Sequence, residues 1–201
     1  MKIAAYKEKY QKLWMLPSLF FALFNLGLGL YSHSIYSYSI AIYYLCLFLL
    51  RLLVNVKKNK KRIYSFYLLL FLLDIALIIP IVMMLYQQKE IHFGLIIAIT
   101  MATYTTYKAT LTGMYIYKHR KENETSVRMK MIIHIVDAAV SIINLQYALI
   151  IVNGGFEGRE DMSILSLISS LAIFLFIIVI SCYFFKKEKN NLKEKEYQEK
   201  D

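Results

Sequence analysis

Lys108 stands where a lysine is costly. It lies within "YTTYKATLTG", residues 104–113, inside a run otherwise apolar enough to cross a bilayer. A charge near the bilayer centre costs about 2.5–3.5 kcal/mol even on insertion scales. Spacings of three and four put Thr100, Thr103, Tyr104, Tyr107, Lys108 and Leu111 on one helical face. A second stripe, His134, Asp137, Ser141 and Asn144, is spaced 3, 4 and 3 further along the chain. Asp74 adds a third ionisable group at membrane depth, with Tyr67 two turns before it, and Ser18 and Asn25 repeat that interval on the first span.

These residue types support three kinds of chemistry. A buried lysine–carboxylate pair can fix helix packing, a polar pocket can hold a small solute or ion, or the seam can catalyse. His134 and Asp137 at i and i+3 would be two metal ligands, but a third would have to come from another helix, and the pair reads first as a hydrogen-bonded couple. Cys46 and Cys182 both fall within spans near the basic side, which argues against a structural disulfide or a ligand pair. Ser163, Ser166, Ser169 and Ser170 suit close helix packing by small residues better than nucleophilic attack. No Gly-rich phosphate loop, HExxH, paired-Glu motif or serine elbow is present. The expectation is therefore no enzyme, no cofactor and no metal.

Lys108 has two candidate partners. With a rise of ~1.5 Å per residue, Lys108 lies roughly 15 Å inside the basic boundary, Asp137 about 10 Å and Asp74 about 18 Å. The hairpin neighbourhood favours Asp137, whereas the lean of side chains toward a helix N-terminus favours Asp74. Sequence leaves the choice open. Thr103, Tyr104, Tyr107, Lys108, Asp74, His134, Asp137, Ser141 and Asn144 form the predicted intramembrane site.

The elements that must position these groups are long apolar blocks. The 201 residues are 58% hydrophobic and 19% charged, too apolar for a soluble domain of this size. Spans of the length needed to cross roughly 30 Å of hydrocarbon are read at 13–31, 35–54, 63–86, 92–117, 131–152 and 162–185. The predicted fold is one all-α bundle of six transmembrane helices, with a lead-in at 1–12 and a charged tail at 186–201. Pro17 falls in a first turn, where its missing N–H costs little; Pro80, inside the third span, should kink it. The Gly-rich stretch "NGGFEGRED" (153–161) is the expected mobile outer loop. An offset of 63 residues aligns Tyr44 with Tyr107 and Asp74 with Asp137, suggesting parallel copies of one hairpin.

Charge sets the orientation. Of 24 Lys and Arg, 21 fall at the N-terminus, in the second and fourth connections (Arg51 counted with the second) and in the tail; Lys89 and Arg159 lie on the other side and Lys108 in a span. Basic loops are cytoplasmic, so both termini are expected there, in a cell membrane. The net charge of +10 is thus explained by topology, and nucleic acid is excluded as the expected partner. The expected partners are the lipid bilayer and a small solute or ion, with any protein partner undefined. In size and span count the chain resembles the substrate-binding subunits of bacterial vitamin-uptake transporters, although "LPSLFFALFNLGLGLY" is bulky where an Ala-rich helix would stand. The Lys-, Ile- and Tyr-rich composition fits a bacterial origin. The expected function is small-solute or ion transport through the seam, or the binding subunit of a transporter. The alternative is a non-transporting sensor, scaffold or regulator acting through the basic face.

Overall fold

The computed structural model describes residues 16–55, 60–86, 95–122, 124–152 and 160–198. Among them the chain is helical throughout, in seven segments: α1 Leu16–Ser32, α2 Ile35–Asn55, α3 Lys60–Ala76, α4 Ile78–Tyr86, α5 Leu95–His119, α6 Thr125–Val152 and α7 Glu160–Gln198. The lead-in 1–12 and most of the outer stretch 153–161 lie outside the described residues, as do Lys89 and Arg159.

The α1–α2 turn shows how tightly the hairpins close. His33 adopts a left-handed φ of 51°, the conformation that commonly terminates a helix. Ser34 then caps α2, its Oγ accepting the Ser37 N–H at 3.3 Å.

The apolar block at 63–86 holds two consecutive helices, α3 and α4, with Leu77 alone between them. Pro80 has no N–H for the carbonyl of Ala76, and its ring crowds that carbonyl. Leu77 lies between the two helices, its N–H shared between the carbonyls of Leu73 and Asp74 at 3.2 Å each while Ile81 N–H still reaches the Leu77 carbonyl at 3.3 Å. The expected kink is thus a break three residues before the proline, while α5 and α6 run uninterrupted for 25 and 28 residues.

The helices form two rows. α1, α2 and α3–α4 lie side by side, as do α5, α6 and α7; α2 packs on α6, and α3–α4 on α7. Phe21 of α1 stacks on Tyr104 of α5, centroids 4.4 Å apart and planes within 9°, closing the third side. The core follows the 3.6-residue period. On α2 it takes Tyr36, Ile40, Tyr43, Tyr44, Leu47, Leu50 and Val54, and on α6 Met129, Ile132, Ile133, Val136, Val140 and Ile143.

The outside is as apolar as the inside. Phe20, Leu23, Ile42, Leu68, Ile99, Leu165, Leu175 and Val179 are exposed, while Arg51, Asp74, Lys108 and Asp137 are buried. In water such an exterior would be untenable; in lipid it is the expected solution. Among the described residues four helical stretches are long and apolar enough to cross a membrane: Ile35–Val54, Lys61–Met83, Thr125–Ile150 and Ile164–Asn191. The second of them runs through the break at Leu77. α1 is a shorter apolar helix, and the threonines, tyrosines and lysine of α5 lower its hydropathy. This is a helical membrane protein.

Three basic segments meet at one end of the bundle. Arg62 of α3 donates to Ser126 Oγ of α6 at 3.3 Å. Arg128 of α6 holds Glu188 of α7 at 2.6 Å, and Thr125 donates to the same carboxylate at 2.6 Å. α7 therefore runs past its apolar part as one helix, and the tail beginning at 186 is helical through Gln198.

Candidate functional site

The site is built on Asp137. Its stripe on α6 faces α2 and α5, the inner positions following from the same period that buries Val136, Val140 and Asn144. Asp137 is 1% exposed, and its Oδ2 accepts from two cations. Lys108 Nζ of α5 is one; Arg51 of α2, at 2.6 Å, is the other. The open choice between two partners for Lys108 resolves to Asp137.

Arg51 is the residue that sequence reasoning misplaced. Counted with the second connection, it instead lies inside α2, 2% exposed. The signal was present: "LFLLRLLV" flanks it with apolar residues on both sides, and it falls seven residues after Tyr44 on the buried stripe. A charge so placed can only be satisfied inward.

The inner face of α5 is also shifted from the expected one. Met101, Thr105, Lys108 and Thr112 are buried, whereas Thr103 and Tyr107 are exposed, away from Asp137. Thr103 Oγ1 donates to the carbonyl of Ile99 at 2.9 Å, the local bond a hydroxyl makes on a face without partners. The six-residue stripe spanned too wide an arc, and its buried edge lay on the Lys108 side. Thr105 and Thr112 donate to the backbone carbonyls of Ser141 and His134, each at 3.0 Å, and so tie α5 to α6. Of the pairs that the 63-residue alignment makes, Asp74 and Asp137 are both buried, but Tyr107 is exposed where Tyr44 is buried.

Tyrosines surround the ion cluster. Lys108 Nζ sits 5.0 Å from the Tyr104 ring centroid, within cation–π range. The Tyr104 hydroxyl is buried without a hydrogen-bond partner, as is Asp137 Oδ1. Two turns along α6 from Asp137, Asn144 accepts from Tyr36 at 2.8 Å and donates to Tyr44 at 3.4 Å. Next to it a cavity of about 20 Å³, lined by Asn25, Tyr36, Ser37, Met101, Asn144 and Tyr147, is large enough for one water. Ser141 turns its hydroxyl onto the carbonyl of Ala138 at 2.7 Å and stays out of the cluster.

His134 is buried against Tyr115, ring centroids 4.6 Å apart. The expected His134–Asp137 couple does not form, because Oδ2 is taken by the two cations and Oδ1 has no hydrogen bond. No group of three His, Cys, Asp or Glu able to hold a metal occurs among the described residues.

Asp74 stands apart. It is 1% exposed on α3, and neither carboxylate oxygen has a hydrogen-bond partner. Ser181 of α7 and Tyr43 of α2, on two helices that pack against α3, also carry buried hydroxyls without a hydrogen-bond partner. Ser166 and Ser170 are buried toward α6, where Ser170 Oγ lies 3.4 Å from Gln146 Oε1, as expected of a small-residue packing face. Cys46 and Cys182 are free thiols.

No family model, curated protein or solved structure matches the chain.

Proposed function

We propose that the chain is a small-solute transport protein, or the binding subunit of one, whose site is the Arg51–Asp137–Lys108 cluster. One observation carries the reading: two cations from two helices converge on a single carboxylate oxygen at membrane depth. The cluster keeps a net charge of +1 in a low-dielectric interior, where uncompensated charge is costly. A structural pair would need one cation. The second cation, with the partnerless Tyr104 hydroxyl beside it, suits a small anion that would take a share of Asp137's place.

In this reading six spans cross the membrane, α1 and α5 joining the four long apolar stretches. Both termini are cytoplasmic. Support comes from the 20-to-2 distribution of basic residues that remains once Arg51 is placed inside α2 and from the meeting of α3, α6 and α7 at one basic end. Reporter fusions after Gln88 and Gly155 should both read extracytoplasmic.

The solute reading is tested on purified protein by thermal unfolding with small mono- and dicarboxylates and inorganic phosphate. At a hundred times its dissociation constant a bound anion adds about 2.7 kcal/mol of stability. At least one anion should raise the midpoint saturably, and Lys108→Met should remove the rise. A flat response to the whole panel would leave the cluster as packing.

A second reading, scaffold or sensor, has its own observation. The Arg128–Glu188–Thr125 clamp holds the basic extension of α7 against the start of α6. A partner acting there would be lost on Glu188→Ala with anion stabilisation intact.

A further inference from the structure

We propose that Asp74, Ser181 and Tyr43 form a binding site for one sodium ion at the break between α3 and α4. The site is separate from the Arg51–Asp137–Lys108 cluster and does not depend on that cluster carrying a solute.

Three helices contribute to it. The Tyr43 hydroxyl of α2, both carboxylate oxygens of Asp74 on α3 and the Ser181 hydroxyl of α7 are all buried without a hydrogen-bond partner. Their residues are 1%, 1% and 0% exposed. Orphaned buried polar atoms are costly singly, and here they lie on three packed helices, α2 and α7 both resting against α3. Arg51 and Lys108 are both engaged by Asp137, and Asp74 forms no ion pair among the described residues.

The backbone adds to the same place. Asp74 lies in the last turn of α3, the negative end of that helix's dipole. Beyond it the carbonyl of Ala76 has no N–H to meet at Pro80. Interrupted membrane helices are where freed carbonyls and helix C-termini coordinate ions. Carboxylate, hydroxyl and carbonyl oxygens are hard ligands. A single carboxylate balances one positive charge, and no group of three acidic or imidazole ligands that would suit a divalent metal is found among the described residues.

The test uses the full chain in detergent micelles. Its unfolding midpoint is followed as sodium chloride replaces N-methylglucamine chloride at constant ionic strength and pH. A saturable rise is expected, because a ligand that binds only the folded state makes the midpoint concentration-dependent. Asp74→Asn, which keeps the shape and removes the charge, should abolish it. Should that variant not fold, Ser181→Ala serves instead, raising the half-saturating sodium concentration about tenfold or more. Identical midpoints in the two salts would overturn the proposal. So would a sodium response that survives Asp74→Asn, or an Asp74-dependent response to pH with none to sodium.

Discussion

Asp137 and Asp74 are both 1% exposed, both on membrane-spanning helices, and electrostatic opposites. Asp137 has two cations on one oxygen; among the described residues Asp74 has none, and neither of its oxygens is hydrogen-bonded. Burial therefore says little about a charged group until its partners are counted. The over-supplied carboxylate should behave as a keystone, since removing it strands two cations. The under-supplied one should behave as a cost the fold carries, since removing its charge strands nothing. Predicted stabilities follow from that asymmetry.

The largest effect should come from Asp137→Asn. Breaking a buried pair by removing one side typically costs about 3–5 kcal/mol, and here two like charges are left facing each other. Equilibrium unfolding in mixed micelles measures it. Replacing Arg51, Lys108 and Asp137 together by apolar residues should recover most of the loss, as swaps of whole buried ion clusters do. A loss under about 1 kcal/mol for Asp137→Asn would mean that water reaches the cluster and screens it.

The next effect turns one carboxylate into the other. Arg51→Met with Lys108→Met would leave Asp137 as isolated as Asp74, at a cost of about 3–5 kcal/mol. Lys108→Met alone should cost less, about 1.5–3 kcal/mol, the range for a hydrogen bond to a charged group, because Arg51 still holds Oδ2 at 2.6 Å. The two single losses should then sum to less than the double, as expected for residues that share a partner. Strict additivity would show that Arg51 and Lys108 do not substitute for each other, and would weaken the keystone account.

The same contrast shows what the sequence disclosed. Lys108, Asp137 and Asn144 were legible because polar residues at helical spacing in an apolar block have only the interior to face. His134, Asp137, Ser141 and Asn144 on the fifth span are all buried for that reason. Arg51 was misassigned because an arginine four residues from a basic loop looks like part of it, and only the periodicity of Tyr44, Leu47 and Leu50 marks it as inward. Thr103 and Tyr107 failed for a different reason. Threonine and tyrosine are amphipathic enough to face lipid, so polarity alone does not fix their side of a helix. Pro80 predicted a distortion but not its site, since the strain falls on the carbonyl four residues earlier and emerged as a break at Leu77. The α2–α6 packing that joins Arg51 to Asp137 spans 86 positions, and no local pattern carries it.

The smallest effect, and the sharpest test of the comparison, is Asp74→Asn measured without sodium. Asparagine keeps the volume and hydrogen-bonding shape of the side chain while removing its charge. No cation is stranded, because none among the described residues pairs with Asp74. The change in unfolding free energy should stay within about 1 kcal/mol of zero, and it should favour the variant, since a buried charge without a partner is penalised where a neutral amide is penalised less. Adding sodium should then reverse the order, raising the parent chain and leaving the variant where it was. A loss of about 3 kcal/mol or more in sodium-free buffer, the size that marks a broken buried pair, would show that Asp74 is held by a charge after all. The two carboxylates would then be two versions of the same keystone.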